Sequence, residues 1–413
     1  MDLVVYSPAV QKDNLELAQA VENQKKNNKL KIKSYPQALG ELTKQYFTIA
    51  VSGAHGKSTT SSIISLILIR AGFNPTVILG TKLKEFSNSN FRLGGKPENP
   101  IAKSLSNNIN NGEFLIIEAD EYEASFLNYW PKIIVLTNIE AEHLDYYKSQ
   151  ENIFRAFRDY VSHLKNDGIL VLNQDDYNSK KLLQGFRKTD FEIRKYFLTQ
   201  PEAGKLKSIL RIPGEYNVSN ALAALTTARL LKINDQIIFS AISEYRGAWR
   251  RFEIENKLIN KKPIILVSDY GHHPTEVRVT LKASREKWPN KKIWLIFQPH
   301  QYQRTYYFFD RLVEVLSSAQ IQKLILVPIY AVAGREDLSI KNKVSSKKLV
   351  LAIKEKLKNN KNNAFIKDVL FFETFKGAKD YLEKNVQAGE VVIIMGAGDI
   401  YELSKSFPLD LRL

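Results

Sequence analysis

"IAVSGAHGKSTT", Ile49–Thr60, decides the reading of this chain. A short β-branched run, Ile49–Ser52, meets two glycines, a lysine and a cluster of hydroxyls. Ser58–Ala71 follows, apolar at helical spacing and closed by Gly72. A strand that enters a glycine-rich turn and then a helix N-terminus aims backbone N–H groups and the positive end of the helix dipole at one point. That arrangement binds phosphate. Gly53 and Gly56 let the backbone approach the anion because they carry no Cβ. Lys57 is expected to reach the β- and γ-phosphates, and the Ser58 hydroxyl to ligate Mg²⁺. The full G-x-x-x-x-G-K-[ST] pattern requires glycine where Val51 stands, so this is a shortened G-x-x-G-K-S form. Gly53, Ala54, His55, Gly56, Lys57, Ser58 and Thr59 are the expected nucleotide-binding residues, against the alternative of a structural turn.

Two further stretches deliver polar groups from buried strands. In "FLIIEADEYEASF" (Phe114–Phe126) an apolar run carries Glu118 to its C-terminal end, where parallel sheets place ligand groups. A carboxylate there suits Mg²⁺. Asp120, Glu121 and Glu123 read as a solvated acidic loop. In "IIVLTNIEAEHLDYY" (Ile133–Tyr147) the strand is followed by Asn138, Glu140, Glu142, His143 and Asp145. A lone histidine is usually structural; His143, among carboxylates at a strand end, has the setting of a metal ligand or phosphate contact.

Strands at Leu3–Tyr6, Ile49–Ser52, Phe114–Glu118, Ile133–Thr137 and Gly168–Asn173 alternate with helical segments, including Leu15–Val21 and Glu151–His163. This predicts a mostly parallel sheet with helices on both faces. After the strong helix of Asn217–Leu231 the rhythm restarts with strands at Ile264–Ser268, Ile293–Gln298, Lys323–Pro328 and Glu390–Met395. The expected fold is α/β in three parts: a short N-terminal Rossmann-like piece (1–45), a central P-loop-type domain (46–245) and a C-terminal doubly wound domain (246–413).

Composition narrows the class. The 413 residues include no cysteine, which excludes disulfides, thiolate catalysis and Cys-type zinc sites. No apolar run approaches the roughly 20 residues that span a bilayer. "MDLVVYSPAVQ" shows no basic leader before an apolar core, so a cytoplasmic protein is expected. The net charge of +16 raises a nucleic-acid reading. The lysines, however, lie in asparagine-rich runs such as "QKKNNKLKIK" (Gln24–Lys33) and "KEKLKNNKNN" (Lys354–Asn363), which lack stacking aromatics. A solvated surface with a general attraction for anions is the expectation, with no nucleic-acid partner and no membrane insertion.

The three stretches, in this order, resemble the Mur ligase family of ATP-dependent amide-forming enzymes. "GEYNVSNALAA" (Gly214–Ala224), "GAWRRFE" (Gly247–Glu253), "DYGHHPTEV" (Asp269–Val277), "FQPHQYQRT" (Phe297–Thr305) and "GAGDI" (Gly396–Ile400) extend the resemblance along most of the chain. The last three are most similar to the family's alanine-adding branch. The resemblance implies ATP and Mg²⁺ as cofactors, UDP-N-acetylmuramate and L-alanine as substrates, and an acyl-phosphate intermediate in peptidoglycan precursor synthesis. It implies catalytic roles for Lys57, Glu118, His143 and Arg251, with Arg250 as a possible substitute for the last. Ser58, Glu118 and His143 would be metal ligands. Asn217 would lie near adenine, Asp269 near ribose, and Tyr270, His272, His300 and Arg304 would line the amino-acid pocket. A monomer or weak homo-oligomer is expected. The site would be completed by closure about a hinge near Tyr245–Gly247.

Several departures stand out. Gln301 occupies the place of a second arginine, which leaves the choice among Ala, Gly and Ser open. Ala54 replaces a threonine. Arg158, by contrast, fits: several relatives carry a carbamoylated lysine there, a guanidinium cannot form that carbamate, and the alanine-adding branch is expected to lack it too. The opening "MDLVVYSPAV" resembles the later part of the family's first domain, so a shortened UDP-binding piece is expected, with Ser7 as a phosphate contact. Alternatives are a ligase that joins an intact tripeptide to UDP-N-acetylmuramate, which shares "EADEY", folate- or cyanophycin-type ligases, and a non-catalytic nucleotide-binding relative.

Overall fold

The computed structural model describes residues 3–10, 13–26, 29–107, 112–164, 167–187, 190–332, 336, 338–359 and 365–410. Residues 27–28 and 360–363 of the two lysine–asparagine runs, and the side chain of Asp145, lie outside the described residues. The chain gathers into two compact units: residues 1–209 with 218–245, and residues 210–217 with 246–413.

The first unit begins with β1 (Leu3–Tyr6) and β2 (Lys31–Ser34), which pair in parallel around the helix Leu15–Lys26. The helix Tyr35–Thr43 follows, with Ser34 and Gln37 forming a capping box. The main sheet comprises β3 (Phe47–Ser52), β4 (Thr76–Leu83), β5 (Ser89–Arg92), β6 (Phe114–Ala119), β7 (Ile133–Leu136), β8 (Ile169–Asn173) and β9 (Glu192–Tyr196). Their order is β5-β4-β6-β3-β7-β8-β9 among the described residues, and only β4–β5 is antiparallel. β3 is buried along its whole length because helices cover both faces of a parallel sheet, so its side chains do not alternate in polarity. Register brings Val51 beside Glu118 and Ser52 beside Ala119 and Leu136. The ends of β3, β6 and β7 therefore share one edge, where the helix Lys57–Arg70 begins. A core of Leu115, Ile117, Phe126, Phe157, Tyr160 and Leu170 packs beneath the β6–β8 region.

The second unit holds β10 (Glu253–Ile259), β11 (Lys262–Asp269), β12 (Ile293–Phe297), β13 (Lys323–Leu326), β14 (Asp368–Phe371) and β15 (Val391–Met395). The order is β10-β11-β15-β12-β13-β14, with β10 antiparallel to β11 and the remainder parallel. The chain moves one way across the sheet from β11 to β14 and then reverses to place β15 between β11 and β12. Such a reversal opens a crevice at the C-terminal strand ends. Two apolar clusters, one centred on Leu295, Leu316 and Ile393 and the other on Leu266, Ile296 and Ile394, bury the two faces.

The strands and helices foreseen from sequence are present, some with shifted ends; β7 stops at Leu136 and the predicted Asn217–Leu231 helix begins at Glu215. The strands β2, β4, β5, β9, β10 and β14 are additional to the sequence reading.

Candidate active site

Gly53 (φ 131°) and Gly56 (φ 87°) take backbone conformations that favour glycine. A Cβ on Gly53 would lie 2.1 Å from Thr137 Oγ1, and one on Gly56 would lie 2.3 Å from Asn220 Oδ1. The turn is held from β7's end. Ala54 N–H donates to Asn138 O (3.1 Å), His55 N–H to Asn138 Oδ1 (3.0 Å), and Asn138 Nδ2 to His55 O (2.9 Å). Thr137 Oγ1 donates to His55 O (2.6 Å), and the His55 ring meets Glu140 Oε2 at 3.0 Å. The Ala54 and His55 amides thus serve the loop's own shape. The first-turn amides of the helix Lys57–Arg70 have no acceptor within the helix, and they mark the anion-binding end.

Lys57 Nζ donates to Gly53 O (2.7 Å) and to Glu121 Oε2 (2.8 Å), with Asp120 3.9 Å away. Burial alone would lower the Lys57 ammonium; Glu121 and Asp120 outweigh it and hold the group above its ordinary range. Burial pushes the Glu121 carboxyl up to about 7, against the opposing pull of Lys57. The acidic loop is therefore not uniformly solvated: Glu121 is 2% exposed, whereas the Asp120 side chain is 58% exposed. Glu121 is the residue that sequence reasoning missed. Its chain neighbours are polar, and only its pairing with a lysine 64 residues away betrays its burial.

Ser58 Oγ donates to Glu118 Oε2 (2.9 Å), and Gly80 N–H donates to Glu118 Oε1 (2.7 Å). Glu118 is thus fixed at the end of β6, facing the first helical turn. His143, in a left-handed backbone conformation (φ 53°), faces Glu121 Oε1 at 3.7 Å and Glu142 Oε2 at 3.6 Å, and packs on Tyr122. Asp120, Glu121 and His143 place one ligand atom each within 4.8 Å of one another. Thr59 is buried in the same helix. Arg158 is exposed on the helix Gln150–Val161. Ser7 caps the turn after β1, accepting from Ala9 N–H.

In the second unit, the β11, β12 and β15 ends carry the remaining candidates. Asp269 accepts from Gly271 N–H and Phe252 N–H, both at 2.8 Å, and burial pushes its carboxyl up to about 6. Asn217 Nδ2 donates to Pro213 O (2.6 Å). The two arginines of "WRRFE" differ. Arg250 is buried, donates to the Gly396 carbonyl and to Gly398 O (3.3 Å), and lies 5.0–5.5 Å from the rings of Trp249, Tyr270 and Tyr401. Arg251 keeps 33% of its side chain exposed, 5.0 Å from the Tyr270 ring and 4.0 Å from Glu276. Arg250 is committed internally to the 396–398 loop, which sets Arg251 apart as the ligand-facing candidate.

His272, His300 and Arg304 come together. Arg304 Nη1 contacts His272 Nε2, and the rings of His272 and His300 are 5.1 Å apart. His300 stacks on Tyr330. Tyr270 lies edge-on to His272 at 5.7 Å. Gln301 precedes the short helix Tyr302–Tyr307 with φ 59° and ψ 136°, and its side chain is buried. His273 caps the helix Pro274–Lys287 in a capping box with Glu276, a structural role.

Comparison with known proteins follows the same division. The Mur ligase middle domain matches residues 51–228, and the Mur ligase, glutamate ligase domain matches residues 250–398. The chain is 34% identical to the UDP-N-acetylmuramate–L-alanine ligase of Caldanaerobacter subterraneus subsp. tengcongensis, across 98% of this chain and 84% of that protein. It is also 34% identical to the ligase of the same name from Clostridium tetani, across 98% and 85%. Among solved structures, the UDP-N-acetylmuramate-alanine ligase of Thermotoga maritima superposes with a TM-score of 0.71 at 22% identity, over 98% of this chain and 84% of that one. A murein peptide ligase of Psychrobacter arcticus gives 0.62 at 21% identity, over 98% and 85%.

Proposed function

This chain belongs to the Mur ligase family, and from that premise we propose that it joins L-alanine to UDP-N-acetylmuramate at the expense of ATP. The observation that carries the reading is the Ser58–Glu118 pair (2.9 Å) beside Lys57 at the mouth of the glycine turn. In this proposal a carboxylate oxygen of the sugar's lactyl group attacks the γ-phosphorus and ADP leaves. The amine nitrogen of L-alanine then attacks the acyl carbon, sheds a proton, and inorganic phosphate leaves as the amide forms.

Phosphoryl transfer needs positioning and charge neutralisation more than covalent help from the protein. Lys57 is the cation for the β- and γ-phosphates, and the arriving phosphate takes the place that the Glu121 carboxylate holds. Gly53, Gly56 and the Lys57–Thr59 amides shape the phosphate cradle, while Ala54 and His55 keep its form. Arg251 adds a second cation, and Asn217 and Asp269 take the nucleoside. Tyr270, His272, His300 and Arg304 form the amino-acid pocket. There the guanidinium meets the carboxylate in the geometry for which arginine is suited. Gln301 adds a neutral carboxamide where a second cation was expected, so glycine and L-serine belong in any test of preference.

The oxygen-rich Ser58–Glu118 pair suits a hard cation, and so does the Asp120–Glu121–His143 group. Bound there, Mg²⁺ would neutralise phosphate charge. The three-part division at residues 45/46 and 245/246, a cytoplasmic setting and a monomeric or weakly self-associating state belong to the same proposal. No helix of the described residues is long and apolar enough to cross a membrane.

The test is phosphate release with ATP, Mg²⁺, UDP-N-acetylmuramate and L-alanine, each omitted in turn. Release that requires all four supports the proposal. Release that requires an intact tripeptide instead of alanine points to the recycling ligase, and absence of release with every amine overturns ligase activity.

A further inference from the structure

His272 lies in the loop between β11 and the helix Pro274–Lys287, and its side chain is 10% exposed. Its two ring nitrogens face opposite kinds of partner. Nε2 meets Arg304 Nη1. Nδ1 lies 3.3 Å from the Tyr270 carbonyl oxygen and 3.6 Å from Glu276 Oε2. A guanidinium has donors only and stays protonated, so the nitrogen that faces it must offer a lone pair. A carbonyl and a carboxylate are acceptors only, so the nitrogen that faces them must carry the proton. Both constraints select one neutral tautomer.

We infer that His272 is a positioning residue: as the Nδ1–H tautomer it accepts a hydrogen bond from Arg304 at Nε2 and aims that guanidinium at the amino-acid carboxylate. The inference rests on the proposed amino-acid pocket and adds to it the agent that orients the cation. The scaffold around the imidazole is itself fixed. Glu276 Oε2 accepts from the backbone N–H of His272 (2.9 Å) and of His273 (3.1 Å), which holds the loop against the helix start. Arg304 sits on the helix Tyr302–Tyr307, whose first residue Tyr302 donates its N–H to Glu336 Oε2 (3.0 Å). Two separately anchored elements therefore meet at one hydrogen bond.

Among the described residues, the charged and titratable groups around the ring are Arg304, Glu276, His300, Tyr270 and, beyond Tyr270, Arg251 and Asp269. Burial first, and the Arg304 charge second, keep the imidazole neutral well below its ordinary range; Glu276 opposes them. Protonation at acid pH would place two cations against each other and remove the acceptor. Arg304 would then turn away, and the effect would fall on amino-acid affinity before turnover.

The experiment uses the full chain labelled with ¹⁵N at histidine, with the His272 signals assigned by their absence in His272→Gln. A long-range ¹H–¹⁵N spectrum at pH 7 should show His272 protonated at Nδ1 and bare at Nε2. An Nε2–H tautomer or an imidazolium overturns the inference. Kinetics form the second arm. His272→Leu should raise KM for L-alanine about tenfold, the scale of one charge-assisted hydrogen bond, with a smaller change in kcat. His272→Gln, whose side-chain carbonyl can stand in for Nε2, should restore most of that loss. It should also flatten the rise in KM expected of the unaltered protein on acidification. Equal damage in both variants, or an unchanged acid limb in His272→Gln, contradicts the positioning role. If no amine supports phosphate release, the ligase proposal fails, while the spectrum still decides the tautomer.

Discussion

Lys57 and Glu121 show how far a residue's role can be read from its neighbours. Lys57 follows two glycines that announce a phosphate loop, and its place at the mouth of that turn was legible. Glu121 stands among acids that look solvated, and only the three-dimensional pairing with Lys57 (2.8 Å) reveals a buried carboxylate. His143 was singled out for its carboxylate neighbours in sequence, but the structure adds Glu121, 22 positions earlier, to its surroundings. Lys57→Ala should lower phosphate release by about 10²–10³-fold, the scale on which one preorganised group stabilises a transition state. Steady-state assays at saturating ATP check it, and a loss below tenfold would remove Lys57 from the chemistry. Glu118→Gln should raise the magnesium concentration needed for half-maximal activity, because the amide is a weaker ligand. A magnesium titration that matches the unaltered protein would detach Glu118 from the metal.

At the scale of elements, legibility followed burial. The strands β3, β6, β7, β12, β13 and β15 are continuous apolar runs because both their faces are covered, and each was found. β9 is an edge strand with polar residues such as Glu192 and Lys195, and β10 pairs antiparallel at the edge of the other sheet, so neither presents such a run; β14, at the opposite edge of that sheet, carries the apolar Val369–Phe371 and was missed all the same. The glycine turn adds a further element that local pattern hides. Asn220, from the helix Glu215–Leu230, lies against Gly56 so closely that a Cβ there would reach 2.3 Å from Oδ1. Gly56→Ala should abolish the rise in Tm that ATP–Mg²⁺ produces. Adding Asn220→Ala should recover only part of it, since space is restored but the positive φ (87°) is not. Full recovery in the double variant would assign the defect to crowding alone, and no defect in the single one would contradict the geometry.

For the whole molecule, the alternation of strands and helices predicted an α/β fold in three parts with residues 210–217 in the central one, while their association with the second unit left no trace in sequence. Tyr216 joins that unit's apolar cluster, and a contact of this kind has no local signature. The pH dependence of stability carries signs that the buried groups set. Glu121, raised to about 7, and Asp269, raised to about 6, bind protons more tightly folded than unfolded. Their contribution is therefore present at acid pH and is lost as pH rises from the ordinary carboxylate range through 6–7. His272, depressed, works in the opposite direction below its ordinary range. Thermal melts from pH 5 to 8 should show a shallower decline in Glu121→Gln than in the unaltered protein, and identical slopes would contradict the assignment. ATP–Mg²⁺ at 100 times its Kd should add about 2.7 kcal/mol of stability, and Lys57→Ala should forfeit most of it. Whether a triphosphate held at Gly53–Ser58 activates a carboxylate is decided by an isotope. UDP-N-acetylmuramate labelled with ¹⁸O in its carboxylate is incubated with ATP, Mg²⁺ and L-alanine, and the released phosphate is weighed by mass spectrometry. The account predicts one ¹⁸O in each phosphate formed per amide; unlabelled phosphate accompanying amide formation would contradict it.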